Sequence, residues 1–241
     1  MKKPFWLLSF FGMILLLVSC TEDDVDIATE LELSPSQLEA ISYFKEVALG
    51  FENGNSSEIT RKWGAAMNVF VGGNPSSANT LTLQQAVTDI NQLATDGFSI
   101  EIVNDSLLAN CYLFFGSGLD FADIFPEEEN NVNANTTGFF SVWWNNNILN
   151  EARIVINPNL LSPTQQRSVI LEEITQSTGL TNDSPLQPNS IFYETADNPG
   201  YTPEYADIDR ELIRLLYHPK MTVGLDENQV DGVLRDILSN E

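Results

Sequence analysis

The residues with the most chemistry to offer lie in one stretch, Val169 to Ser184. There Glu172 and Glu173 stand side by side, Gln176 follows, and Asn182 and Asp183 come after Gly179. Two carboxyl groups in one cleft repel each other, so a pair of this kind can share a proton and do acid/base work without a metal. Adjacent helical residues point about 100° apart, however, so the two side chains need not converge on one substrate atom. The same residues can also serve structure alone. Gln165, Gln166, Glu172, Glu173 and Gln176 would then be the polar side of a helix that packs through Val169, Ile170 and Ile174, with Asn182-Asp183-Ser184 forming a turn. Composition narrows the chemistry further. The chain holds one histidine, His218, and two cysteines, Cys20 and Cys111, which excludes a site built on paired histidines. Cys111 sits in the apolar run Cys111-Tyr112-Leu113-Phe114-Phe115 and reads as a small buried hydrophobe. His218, beside Pro219, reads as a helix C-terminal residue favoured by the dipole, with no catalytic role.

The elements that must position these residues are marked by caps and periodicity. Ser34-Pro35-Ser36-Gln37 starts a helix expected from about Pro35 to Leu49, with Leu38, Ile41, Phe44 and Ala48 at helical spacing. Met67 to Val71 reads as a strand ended by Gly72-Gly73, and Leu83 to Thr95 as an amphipathic helix stopped by Gly97. Strand-like runs follow at Phe98 to Val103, Asn110 to Phe115, Gly138 to Trp144 and Ala152 to Ile156. Ser162-Pro163 starts the helix that carries Glu172 and Glu173, and two more helices are expected over Asp207 to Tyr217 and Asp226 to Leu238. This order predicts an α+β fold, a mixed twisted sheet with helices packed on it and a small, mostly helical C-terminal part.

Laid without a gap on the zinc-peptidase pattern of the metzincins, the stretch resembles it in outline while lacking its ligands. The resemblance places Glu172, Gln176 and Asn182 at the three histidine positions, Glu173 at the general-base position and Gly179 at the turn. Ser190-Ile191-Phe192-Tyr193 is similar to the methionine turn, with Phe192 in place of methionine, which would put Phe192 and Tyr193 beside the cleft. The stretch is also similar to an uncharacterised bacterial domain family with E-E-x-x-Q-x-x-G-x-x-N-D at this helix. The resemblance implies a zincin-like fold. Zinc prefers nitrogen and sulfur donors, whereas Glu172, Gln176, Asn182 and Asp183 offer only oxygen, a set better suited to calcium, magnesium or manganese if any cation is held. In such a fold the aromatic run Phe139, Phe140, Val142, Trp143 and Trp144 would fall near the sheet edge, where a peptide or glycan could stack. Core and cross-strand packing is the other use of such a run.

The N-terminus speaks to location. Lys2 and Lys3 precede a short apolar run from Phe5 to Val18, the architecture of a signal peptide and too short for a spanning helix. Leu17-Val18-Ser19-Cys20 resembles a bacterial lipobox, which implies lipid on Cys20 and removal of residues 1–19. Thr21, Glu22, Asp23 and Asp24 resemble the surface-export signals of Bacteroidota lipoproteins; they would equally keep a tether over residues 20–33 solvated. Cleavage leaves 222 residues, enough for a single domain over 34–241, and moves the net charge from −23 to −25. Nucleic acid is excluded as a partner by that charge, and a membrane would be met through the lipid. The expected protein is thus a secreted, lipid-anchored envelope protein of the outer membrane or cell surface, with an envelope protein or peptide as partner. Its degenerate metzincin-like domain would serve as a binding or structural module and not as an active zinc peptidase. The alternative is a hydrolase that uses Glu173 as general base, with an oxygen-ligated cation or none.

Overall fold

Local signals start most of the helices. In the computed structural model, which describes residues 32–51 and 56–240, helix α1 runs Pro35–Ala48 behind a reciprocal cap: Gln37 N–H donates to Ser34 Oγ and Ser34 N–H to Gln37 Oε1. The signal peptide expected over 1–19, Cys20 and all but the last two residues of the tether expected over 20–33 lie outside the described residues. Helix α4, Pro163–Gln176, starts with the same device at Ser162 and Gln165, and α6, Glu227–Leu238, with Asp226 and Gln229. Helix α5 spans Asp207–Leu216. Helix α2, Ser77–Leu93, begins six residues ahead of the expected start at Leu83, because Ser76 and Asn79 cap it there. The polar residues between hide the first turns from an apolar periodicity search.

The strands are β1 (Lys62–Trp63), β2 (Met67–Gly73), β3 (Ile100–Val103), β4 (Cys111–Phe115), β5 (Gly138–Asn145) and β6 (Ile148–Ile156). All neighbours pair in parallel except β5, which runs antiparallel to β6. β1 and β4 share one side of β6, against Ile148–Leu149 and Ala152–Ile156 respectively, while β5 follows β6 along its whole length on the other side. Among the described residues β5 is therefore an edge strand. Asn146 and Asn147 make the turn of the β5–β6 hairpin at positive φ, which asparagine tolerates better than most residues.

Strand alternation divides two cores. Cys111, Leu113 and Phe115 of β4 and Ala152, Ile154 and Ile156 of β6 face the main core, which the helices α1, α2, α4, α5 and α6 complete. Phe114 and Val155 face the other side, where the short helix α3 (Gly118–Ile124) brings Phe121 and the following loop brings Val132. β1 and α3 carried no sequence expectation, since two and seven residues are too short to show a period. The fold is the expected one, α+β with a mixed sheet and helices on it. Cys111 is the buried small hydrophobe foreseen, and burial pushes its thiol well up. Among the described residues no helix is long and apolar enough to cross a membrane.

Candidate functional site

Helix α4 lies against β5, β6 and α2, and its C-terminal half is buried on almost every side. Its end is held by partners from distant parts of the chain. Trp63 Nε1 donates to Ser177 O at 2.9 Å, Tyr217 Oη donates to Thr178 O at 2.7 Å, and Thr175 Oγ1 and Tyr205 Oη share a hydrogen bond at 2.7 Å. The first two bonds satisfy carbonyls that a helix end leaves open, and the third ties the α4 side chain to the loop before α5. Gly179 then turns the chain at φ 120°, packed so closely on the Arg61 carbonyl that a Cβ there would overlap it.

Between the free flank of β5 and α4 opens a cleft of about 700 Å³. Val169, Glu172, Glu173 and Gln176 of α4 line it together with Gly138 to Val142 and Trp144 of β5; Glu194, Pro199 and Tyr201 line it from the loop before α5, and Phe51, Thr181 and Asp183 also take part. The structure thus brings Glu172, Glu173, Gln176 and Asp183 together, as the sequence pattern suggested. Glu173 is the deepest carboxylate, only 7% exposed, while Glu172 is half-buried. Gln176, itself buried, donates Nε2 to Asp183 Oδ1 at 2.7 Å, which orients that carboxylate. Gly138, the first residue of β5, makes room for the close approach of Glu173: an added Cβ would sit 2.5 Å from Val169 Cγ1 and closer still to Glu173 Oε1.

Three of the candidate residues go elsewhere. Asn182 turns away from the cleft and donates Nδ2 to Leu49 O (2.8 Å) and Glu46 O (3.2 Å), capping the C-terminal end of α1. Phe192 is fully buried in the main core, and Tyr193 is half-buried outside the cleft lining. The reason is the turn at Ser190. Its Oγ receives Tyr43 Oη (2.8 Å) and Phe192 N–H (3.0 Å) and donates to Asp209 Oδ1, while Asp209 Oδ2 accepts the N–H groups of Ile191 and Ala206. This buried network fixes the turn with Phe192 inward, so the chain reaches the cleft again from Glu194 onward, at Glu194, Pro199 and Tyr201.

Tyr201 was not visible as a site residue. Its one local signal is the preceding Asn198-Pro199-Gly200, a tight turn in which Gly200 has positive φ and packs against the Tyr193 carbonyl. In the cleft, burial first and then the charges of Glu172 and Glu194 raise the phenol's pKa, against a lowering hydrogen bond with Thr137. The aromatic run of β5 is divided between core packing and exposed surface. Phe139, Phe140 and Val142 are half-buried against the two cores, while Trp143 and Trp144 are exposed. Trp144 stacks on Phe51 with ring centroids 5.1 Å apart, and the buried Arg61 guanidinium lies 4.6 Å from its ring.

The donor set does not fit zinc. Among the described residues no imidazole or thiolate lines the cleft, Gln176 spends an amide hydrogen on Asp183, and Asn182 is committed to α1. Among the described residues no group of three or more histidine, cysteine, aspartate or glutamate side chains is arranged to hold a metal ion. His218 follows α5, where its Nδ1 accepts the N–H of Lys220, outside the cleft lining.

Fold and cleft together define an α+β domain in which one helix, α4, carries Glu172, Glu173 and Gln176 into a cleft beside the antiparallel strand β5. The chain belongs to the family described as "Protein of unknown function (DUF2927)", which matches residues 37–236. No curated protein shows significant similarity to it. Solved structures similar to it include myroilysin, with 11% identity and a TM-score of 0.40 over 65% of this chain and 95% of that one. Another is metalloproteinase-II from Bacteroides fragilis, with 13% identity and a TM-score of 0.38 over 76% of this chain and 61% of that one.

Proposed function

We propose that this is a lipid-anchored envelope protein that binds an extended peptide in the cleft between β5 and α4, without zinc-dependent cleavage. The observation that carries the reading is the joint position of the free β5 edge and the Glu172–Gln176 face of α4 on one cleft of about 700 Å³. An edge strand offers unpaired N–H and C=O groups to an incoming chain, and the groove beside it supplies pockets for alternate side chains. Among the described residues no strand pairs with the outer flank of β5. The anchor belongs to the same reading: the n-region, apolar run and lipobox-like Leu17-Val18-Ser19-Cys20 support export, lipid on Cys20 and residence in the outer membrane or on the cell surface.

A second reading, metal-free hydrolysis with Glu173 as base, is favoured by one observation. Glu173 sits deep in the cleft, and the phenol of Tyr201 lines the same space as a proton donor. One experiment separates the two. The full chain is mixed with a degenerate pool of short peptides, amide exchange is followed over residues 138–145, and the peptides are weighed by mass spectrometry. Binding predicts slowed exchange along β5 with peptide masses unchanged. Masses that shift with the wild type and not with Glu173→Gln establish the hydrolase. Unchanged exchange with every pool overturns the peptide reading.

A further inference from the structure

We propose that the cleft selects peptides carrying a basic side chain, lysine or arginine, at the position that lies over α4. This rests on the peptide-binding reading and adds the chemistry of the ligand. Four lining residues are carboxylic, Glu172, Glu173, Asp183 and Glu194, and no lysine, arginine or histidine lines the cleft among the described residues. Lys45, Lys62, Arg153, Arg210, Arg214, Lys220 and Arg235 each pair with a carboxylate outside the cleft lining, and Arg61, buried behind the lining, has its guanidinium against the Trp144 and Phe51 rings at 4.6 and 5.4 Å. A cleft lined by one sign of charge between low-dielectric walls concentrates field and favours the opposite sign.

The shape of the site distinguishes an ion from a side chain. Two of the carboxylates, Glu172 and Glu173, come from α4 and two, Asp183 and Glu194, from the loops that follow it, and no three of them are arranged to hold one metal ion. They are spread along a space far larger than a cation, which suits a flexible basic side chain arriving on an extended backbone. The rest of the lining fits such a side chain. Val169 and Val142 offer apolar surface for a methylene stem. The β5 edge supplies what the carboxylates cannot, pairing for the peptide backbone on either side of the basic residue.

The test uses the full chain and four peptide pools of equal length, identical except for one fixed residue: lysine, norleucine, citrulline or glutamate. Affinities are measured by fluorescence anisotropy at low and high salt. The lysine pool is expected to bind about tenfold tighter than the norleucine and citrulline pools, as for a charge-assisted hydrogen bond at a partly buried carboxylate, and the glutamate pool weakest. Glu172→Gln and Glu194→Gln, at half-buried and exposed positions, should each shrink the ratio, and high salt should do the same. Equal binding of all pools overturns the charge selection and leaves the peptide reading standing. Binding of none overturns both. Calcium that blocks the lysine pool and itself raises the melting temperature, with both effects lost in Glu172→Gln, replaces the basic side chain with an ion and overturns the inference.

Discussion

Gly138→Ala probes whether the buried Glu173 carboxylate is wedged against the edge strand. Gly138 does not occupy the left-handed region, so alanine meets no backbone strain there, only a shortage of space. The new methyl carbon would lie 2.5 Å from Val169 Cγ1 and 3.1 Å from Glu173 Cδ, with Glu173 Oε1 closer again. Overpacking of this kind costs about 1–3 kcal/mol, and the reduced freedom of the unfolded chain returns about 0.4–1 kcal/mol, so a net loss of about 1–2 kcal/mol is expected. For a domain of this size that lowers the melting temperature by about 2–8 °C. Val169→Ala alone should cost about 2 kcal/mol through lost burial, since Val169 is buried. The double variant removes one of the two overlaps, so it should be more stable than the two separate costs predict by about 1 kcal/mol. Urea denaturation of the wild type and the three variants measures that coupling directly. Costs that add within about 0.5 kcal/mol would show that Gly138 and α4 are not in contact, and the close approach of Glu173 to β5 would be wrong.

Further outcomes follow from the buried bonds. Burial holds the Asp209 carboxyl up at about 6 from an ordinary 3.8, although Ser190 and the N–H groups of Ala206 and Ile191 pull it down. The folded chain then keeps a proton that the unfolded chain releases, so this contribution to stability is whole below about pH 4 and falls by roughly 3 kcal/mol as the pH rises through 6. Denaturation of wild type against Asp209→Asn at several pH values should show the difference shrinking across that window; a difference that does not change with pH refutes it. Tyr217→Phe takes the hydrogen bond from the Thr178 carbonyl at 2.7 Å, and about 1–3 kcal/mol of stability should go with it, read by thermal melting. Asn182→Ala should cost about 1 kcal/mol by uncapping α1 and leave peptide affinity unchanged, whereas a change in affinity without a change in stability would return Asn182 to the cleft. Cys20→Ser should abolish incorporation of labelled palmitate and release the chain from the membrane fraction; labelling that persists would move the lipid elsewhere or remove it from the account.

The features legible from the residues alone are local or exclusive. Ser34, Ser162 and Asp226 mark helix starts because a cap bonds to backbone three residues away, and the alternation in β4 and the spacing in α4 show which faces are apolar because both periods fit within a few residues. A single histidine rules out a site of paired imidazoles in any fold. The position of Glu172, Glu173 and Gln176 on one helix, with Gly179 as its turn, was legible for the same reason. Tertiary structure alone decided which of the neighbouring polar residues share the cleft. Asp183 enters it through Gln176, while Asn182, one residue earlier, is drawn to the open carbonyls of α1, more than 130 positions away in sequence. Phe192 and Tyr193 lose the cleft to Glu194 and Tyr201 because Tyr43 and Asp209 pin Ser190 from two other helices. That β5 stands at the sheet edge depends on strand pairings between remote segments, which no local pattern encodes. Buried polar groups must find partners wherever packing brings them, and it is that requirement, summed over distant segments, that assembled the site.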